Sequence, residues 1–372
     1  MMILQMILFL LVTFSLFGYV FVRGYHNFAP FPRLKITYSV AYISLFLTMM
    51  TAFIAADYFP AKAGNAVSFV GFTFLILVIY MGIAFLVIDF FRIINRFFIR
   101  ANSAMVEKCR MWATAVSFCI IVIALVIGNY NFNNPVVTKY SVLVENPTQN
   151  KQLRIVMASD LHLSNSIKKK RLQQYVTLIN EQNPDIVFFV GDIVERTIYP
   201  FRNQRMYEDL LKIQSTYGVF GVPGNHEFYS PTKELTFKYF KKAGIQMLFD
   251  EAVLINNSFY VVGRDDRINL DRKSLAELVK DLDRNFPILL LDHQPFELEE
   301  AEQNGITMQF SGHTHNGQFF PGNIIVGFIY ELAHGYMKKG NTHYVVSSGL
   351  GIWGPQFRIG TRSELVVVDL TF

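Results

Sequence analysis

The sequence predicts an α/β domain over residues 154–372, an all-α transmembrane bundle of four helices over 1–129, and a connector at 130–153 between them. Three observations carry that reading. Charge is split along the chain: residues 1–129 hold Asp57, Asp89 and Glu107 as their only acids against nine basic residues, which leaves 26 acids and 25 bases for residues 130–372. Four long apolar runs fall inside the acid-poor part. Beyond it, short apolar runs alternate with helix-like stretches, the pattern of α/β layers.

The long runs lie at about 3–22, 36–56, 67–91 and 111–128. Each approaches the roughly 20 residues that cross about 30 Å of hydrocarbon at about 1.5 Å per residue. A cleaved signal peptide would place a basic residue before the first run. Here the first basic residue, Arg23, follows it, so the run is expected to remain as a helix. The loop at 23–35 carries Arg23, Arg33 and Lys35, and the loop at 92–110 carries Arg92, Arg96, Arg100, Lys108 and Arg110. Basic loops stay in the cytoplasm. A multi-pass protein of the cell membrane with both termini and the α/β domain outside the cytoplasm is therefore expected. The net charge of +5 belongs to these loops, so no nucleic-acid partner is expected. Cys109 and Cys119 both precede the α/β part, which offers neither a disulfide nor a thiolate ligand.

In the connector, "TKYSVLVE" (138–145) alternates β-branched residues between Asn-Pro pairs and reads as a strand. There follow "LRIVMASD", "DIVFFVGD", "YGVFGVPGN", "FYVVGRDD", "FPILLLDHQP", "TMQFSGHTH", "HYVVSSG" and "ELVVVDLTF". Apolar runs of this length suit strands covered on both faces. Helix-like stretches at 168–182, 202–215, 232–243 and 271–284 separate several of them.

Where these runs end, polar residues gather. In order they are "SDLH" (Asp160, His162), "VGDIVE" (Asp192, Glu195), "GNHE" (Asn225, His226), "LDHQP" (His293) and "GHTH" (His313, His315), and they take five of the chain's eight histidines. Strand ends of layered α/β folds are where ligands bind. Two histidines spaced i, i+2 in extended chain point to one side with α-carbons roughly 6.5 to 7 Å apart. They could each serve one of two ions held about 3.5 to 4 Å apart. Oxygen and imidazole donors without sulfur suit Mn, Fe or Zn rather than Ca or Mg alone.

The ordered series D-x-H, G-D-x-x-[DE], G-N-H-[DE], H and G-H-x-H resembles the calcineurin-like metallophosphoesterase superfamily over about 154–372. The tail "SSGLGIWGPQFRIGTRSELVVVDL" resembles a bacterial membrane-associated branch of it. The resemblance implies a four-layer α/β/β/α sandwich and two divalent metal ions. It implies that Asp160, His162 and His315 hold the first ion, that Asn225, His293 and His313 hold the second, and that Asp192 bridges them. His226 would stand beside the scissile phosphate and Glu195 would orient it, while Glu227 receives no role. The implied reaction is hydrolysis of a phosphomonoester or phosphodiester by a metal-bridging hydroxide, with His226 as general acid contributing about 10²- to 10⁴-fold. Tethering suggests a lipid-linked or envelope substrate and membrane lipids as partners. Two other functions compete. One is a cytoplasmic-side hydrolase of a nucleotide-linked lipid, similar to UDP-diacylglucosamine hydrolases, which needs the inverted topology. The other is a non-catalytic membrane sensor or binding protein with a vestigial metal site; degenerate relatives lose ligands, whereas here every expected one is present.

The remaining signals read more plainly. "GLGIWG" (349–354) fits G-x-G-x-x-G, but Pro355 follows where a helix should open, so no dinucleotide site is expected. Arg358 and Arg362 on that loop are in reach of a substrate phosphate or are simply structural. "KKKR" (168–171) reads as a solvated helix start, with anionic lipid as the alternative contact. His26, His334 and His343 read as surface or packing residues.

Overall fold

A computed structural model describes residues 2–55, 59, 61–144 and 151–372, with side chains from residue 11 onward except at 61. The chain forms two compact units, Met1–Ile127 with Gly354–Gln356, and Gly128–Trp353 with Phe357–Phe372.

The first unit holds α1 (Met2–Asn27), α2 (Pro32–Ala55), α3 (Ala61–Ile94) and most of α4 (Ser103–Asn133). Among the described residues, three helices are long and apolar enough to cross a membrane: Pro32–Ala55, Lys62–Ile99 and Ser103–Asn133. The first predicted span, 3–22, falls in α1, and its side chains up to residue 10 lie outside the described residues, as does residue 56 at the end of the second. α3 outruns the predicted 67–91 because nothing breaks it before a π-helical turn at Asn95–Ile99, which left-handed Arg100 ends with its N–H on the Asn95 carbonyl. Asp89, the one acid of α3, is satisfied inside the unit. Tyr19 donates to it (2.7 Å), Arg92 pairs with it at 3.1 Å, and Arg23 joins them.

The second unit holds two mixed sheets. The first contains β1 (Val136–Leu143), β2 (Gln152–Ala158), β3 (Ile186–Val190), β4 (Val219–Val222) and β5 (Ile245–Met247). The second contains β6 (Glu251–Ile255), β7 (Phe259–Gly263), β8 (Ile288–Leu291), β9 (Met308–Ser311), β10 (Gly335–Lys339) and β11 (Thr342–Val346), and β12 (Glu364–Thr371) returns to the first. Their orders are β1-β12-β2-β3-β4-β5 and β10-β11-β9-β8-β7-β6. β2 to β5 run parallel, as do β7, β8, β9 and β11.

Alternation along each strand divides the apolar residues between separate cores. Ile155, Met157, Phe188 and Val190 of the first sheet meet Val261, Leu289, Leu291 and Phe310 of the second in one buried cluster. Their neighbours Val156, Ala158, Val187 and Phe189 face the opposite way, onto Leu172, Tyr175 and Ile179 of α5 (Lys169–Asn180). Ile288 and Leu290 likewise face outward, onto Leu275 and Val279. Both faces of these strands are buried, which is why they read as unbroken apolar runs.

The remaining helices are α6 (Tyr199–Asn203), α7 (Tyr207–Leu210), α8 (Asn225–Phe228), α9 (Lys233–Lys242), α10 (Leu275–Val279), α11 (Glu299–Gln303) and α12 (Gly322–Ile329). The helix predicted at 202–215 is instead α6 and α7, parted at Arg205, whose φ of 53° cannot continue a right-handed turn. The stretch 271–284 shrinks to α10. Its first residues make tertiary bonds instead, Arg272 to Asp292 (3.2 Å) and the Lys273 N–H to Asp250 (2.9 Å), and Ser274 with Glu277 caps what remains. The connector strand is β1; Glu145 at its predicted end lies outside the described residues. No helix opens at Pro355, where the G-x-G-x-x-G pattern of residues 349–354 would require one.

Candidate metal centre

The nine rim residues converge from five strand ends. Asp160, Asp192, His293 and His313 each stand two residues beyond β2, β3, β8 and β9, and Asn225 stands three beyond β4. Backbone bonds lock these loops together: Asp160 N–H to the Gly191 carbonyl (3.0 Å), His162 N–H to the Asp192 carbonyl (2.9 Å) and Gly312 N–H to the His293 carbonyl (2.9 Å). Carboxylates also hold loop amides, since Asp192 accepts from the His226 N–H (2.9 Å) and Asp160 from the His313 N–H (3.1 Å). Gly224 is needed here because any Cβ at that position would run into the Asp192 carboxylate.

Two clusters of donor atoms result. In one, His162 Nε2 lies 3.0 Å from His315 Nε2, which is 3.4 Å from Asp160 Oδ1. In the other, His293 Nε2 lies 3.3 Å from Asp192 Oδ2, and His313 completes the group with its Nδ1 2.9 Å from Asn225 Oδ1. Asp192 Oδ2 is also 3.9 Å from His162 Nε2, so this carboxylate stands between the clusters. His313 and His315 thus belong to different groups, though not through an extended chain. Asp160, His162, Asp192, His313 and His315 all have φ between 47° and 69°. For residues with a Cβ this conformation costs about 1–3 kcal/mol each and persists where the surroundings impose it. A left-handed loop, rather than strand alternation, turns the two imidazoles apart.

The donor set fits divalent cations. His293 donates Nδ1–H to the Val190 carbonyl (2.8 Å), which leaves its buried Nε2 without a hydrogen-bond partner, aimed at the Asp192 carboxylate. Burial, with help from His293, lowers His313 to about 3. Burial followed by His162 and Arg358 keeps His315 well below the usual range. Both are therefore neutral, as ligands must be. At His162 burial is outweighed by Glu195 and then Asp192, and the pKa rises to about 9; Asp192 raises His293 in the same way. Burial raises Asp160, while Asp192, despite its burial, is held low by His293. Carboxylates in this nest stabilise positive charge, and a cation would displace the protons that otherwise carry it.

His226 and Glu195 sit beside the clusters. His226 donates Nδ1–H to the backbone carbonyl of Glu195 (2.6 Å), while the Glu195 carboxylate is 3.7 Å from that nitrogen and 2.6 Å from His162 Nδ1. The expected orientation of His226 by a carboxylate is thus supplied by a carbonyl. The longer glutamate reaches past it to His162.

Two further residues build the site. Glu227, given no role from the sequence, is buried and accepts three amides, from Asp192, Val194 and Gly224, each at 2.9 Å. It ties the G-D-x-x-E loop to the G-N-H-E turn. Burial and the Asp192 carboxylate push it up to about 7 against the pull of the Val194 and Gly224 amides. An acid closing a loop motif was the available signal. Arg358 is buried, donating to the carbonyls of His315 (3.0 Å), Gly349 (3.0 Å) and Gly351 (2.6 Å), and so fixes the loop bearing His315. Arg362 is exposed.

Residues 153–317 match the family described as calcineurin-like phosphoesterase. An uncharacterized metallophosphoesterase of Campylobacter jejuni is 33% identical over 258 residues, which cover 68% of this chain and 68% of that protein. Another, of Aquifex aeolicus, is 30% identical over 261 residues, covering 67% of this chain and 97% of that protein. A Danio rerio transmembrane protein with metallophosphoesterase domain is 29% identical over 270 residues, or 67% of this chain, and the match spans only 61% of that protein.

Proposed function

The chain belongs to the calcineurin-like phosphoesterase family, and from that premise we propose that it is a membrane-anchored hydrolase of phosphomonoesters or phosphodiesters working with two divalent ions, Mn, Fe or Zn. One observation carries the reading: two buried clusters of imidazole and carboxylate donors share Asp192, with Oδ2 3.3 Å from His293 on one side and 3.9 Å from His162 on the other. Asp160, His162 and His315 would hold the first ion, Asn225, His293 and His313 the second, and Asp192 both. When bound, such ions supply Lewis-acid charge for phosphoryl oxygens and bring the pKa of water from about 15.7 toward about 7.

The chain's own contribution is positioning and proton transfer. With Nδ1–H anchored on the Glu195 carbonyl, His226 presents Nε2 toward the clusters, 3.9 Å from Asp192 Oδ2, on a side chain one quarter exposed. It can therefore give a proton to the leaving oxygen and recover one from solvent. Glu195 steadies His162 and Arg358 steadies the His315 loop. The helix-covered outer faces of the two sheets support the four-layer α/β/β/α reading.

Tethering restricts the site to substrates at a membrane surface, a phospholipid, a lipid-linked intermediate or an envelope polymer, and the basic loops favour an extracytoplasmic domain. Purified full-length protein with Mn should hydrolyse bis-p-nitrophenyl phosphate or p-nitrophenyl phosphate and lose that turnover to chelator. Absence of metal-dependent turnover on both esters and on phospholipid would overturn the enzymatic reading. A reporter fused after Phe372 that is active only in the cytoplasm would overturn the orientation.

A further inference from the structure

Beside the candidate metal centre the second unit exposes an apolar helix without a polar side. α12 reads GNIIVGFI, and none of its residues is buried. Ile324, Ile325 and Ile329 are about half exposed and Phe328 is 88% exposed; Phe320, just before the helix, is 50% exposed. A helix on a water-facing domain keeps a polar stripe outward. A contiguous apolar patch of this kind marks a surface that meets something apolar.

The helix is fastened to the loop that carries the candidate ligands. At its start the backbones of Gly317 and Gly322 touch so closely that neither position admits a Cβ, and Gly317 belongs to the turn that begins with His315. Beyond its end, the Tyr330 ring packs 4.6 Å from Phe296 and 6.2 Å from His313, and Thr314 Oγ1 donates to the Ala333 carbonyl (2.6 Å).

Hydrogen bonds within the second unit link α12 to the C-terminal end of α4. Phe320 N–H donates to the Ile359 carbonyl (2.7 Å), and the adjacent Arg358 N–H donates to the Gly128 carbonyl (2.8 Å). Asn131 donates in turn to the Arg358 carbonyl (3.2 Å). Gly128 is where the apolar run of α4 ends and Asn129, Asn131 and Asn133 begin to alternate in it. The root of α12 is therefore hydrogen-bonded, through Ile359 and Arg358, to the polar segment that follows the apolar run of a membrane-length helix. Helices lying in a membrane interface bury their apolar face about 5–10 Å into the headgroup and acyl boundary.

We propose that α12 inserts into the phospholipid leaflet next to the metal centre, so that the site takes a phosphoester whose lipid tails stay in the membrane. The substrate clause rests on the phosphoesterase reading; the insertion clause does not. The test uses the full chain with Cys109→Ser and Cys119→Ser, Phe328→Cys carrying an environment-sensitive fluorophore, in nanodiscs of phosphatidylcholine and phosphatidylglycerol. Blue-shifted emission quenched by doxyl lipids and not by aqueous iodide is expected. Quenching by iodide instead, or a blue shift that doxyl lipid leaves unquenched, would overturn insertion, the latter by showing protein as the cover. For the substrate, I325D/F328D should lower the ratio of phospholipid to bis-p-nitrophenyl phosphate turnover by about tenfold, because lost apolar contact weakens only the encounter with the leaflet. An unchanged ratio would overturn that clause. Failure of the wild type on phospholipid, bis-p-nitrophenyl phosphate and p-nitrophenyl phosphate would sink the phosphoesterase reading and the substrate clause with it, while the fluorophore still decides insertion.

Discussion

Two histidine–carboxylate clusters stand at the same rim of the second unit and differ in how their polar atoms are used. At the candidate metal centre His293 Nε2 has no hydrogen-bond partner, and five candidate ligands have left-handed backbones. At Glu364, the first residue of β12, all is closed: its carboxylate accepts from His334 (2.9 Å), Thr138 (2.8 Å), Ser347 (3.2 Å) and the Ser348 amide (2.6 Å). A histidine beside an acid at a strand end is therefore not by itself a ligand. A buried imidazole nitrogen without a partner, among ligands held in an imposed backbone conformation, is what a cation site would show, and the Glu364 carboxylate lacks both features.

Substitutions can break this contrast. Asp192→Asn should have the largest effect, because it weakens both clusters. Metal ions contribute several kcal/mol to offsetting developing charge and about 1.4 kcal/mol is tenfold, so turnover should fall on the order of 10³-fold. Bound metal, measured by elemental analysis, should fall with it; full occupancy and near-normal turnover would erase the distinction. His226→Ala should lower turnover by about 10²- to 10³-fold while leaving metal content intact, as a proton donor outside the ligand set would. Glu195→Gln, which loosens His162, should cost about 10- to 100-fold in metal affinity or activity. Glu195→Asp separates positioning from charge: it keeps the carboxylate but shortens its reach, so a metal titration showing the same loss as Gln would tie the effect to reach.

Much of the contrast was legible in the sequence, and the rest was not for physical reasons. The parallel strands β2, β3, β8 and β9 announce themselves because both faces are buried, and the rim residues follow from where those runs stop. The edge strands β5, β6 and β10 are partly exposed; β5 and β10 carry no apolar run, and the run at 252–255 in β6 directly precedes a turn and is outweighed by the longer runs of the central strands. His313 and His315 suggested a strand-like i, i+2 pair; the left-handed loop was not legible because Asp and His, though enriched at positive φ, adopt it at only a minority of positions. Glu195 and Arg358 were visible as charged residues near the motifs. Whether a side chain turns toward substrate or toward the back of a ligand is decided by tertiary packing, here a glutamate long enough to pass His226 and an arginine enclosed by three carbonyls.

Glu364→Gln should leave metal content and turnover nearly unchanged and act on stability instead. Burial alone would raise the Glu364 pKa, but His334 and the Ser348 and Thr138 donors hold it down at about 2, against an ordinary 4.5. A carboxyl whose folded pKa is depressed adds stability that is fully present above about pH 4.5 and is lost as pH falls toward about 2. At about 1.4 kcal/mol per pKa unit, the contribution at neutral pH is about 3 kcal/mol. Denaturant unfolding of the full chain in detergent should therefore show the variant less stable at pH 7, with the gap closing between about pH 4.5 and pH 2. A gap that persists at the acid end would mean that the carboxylate's charge is not what holds β12 to its neighbours; a loss of bound metal at pH 7 would mean that this network and the metal centre are one site, and the contrast between them would fail.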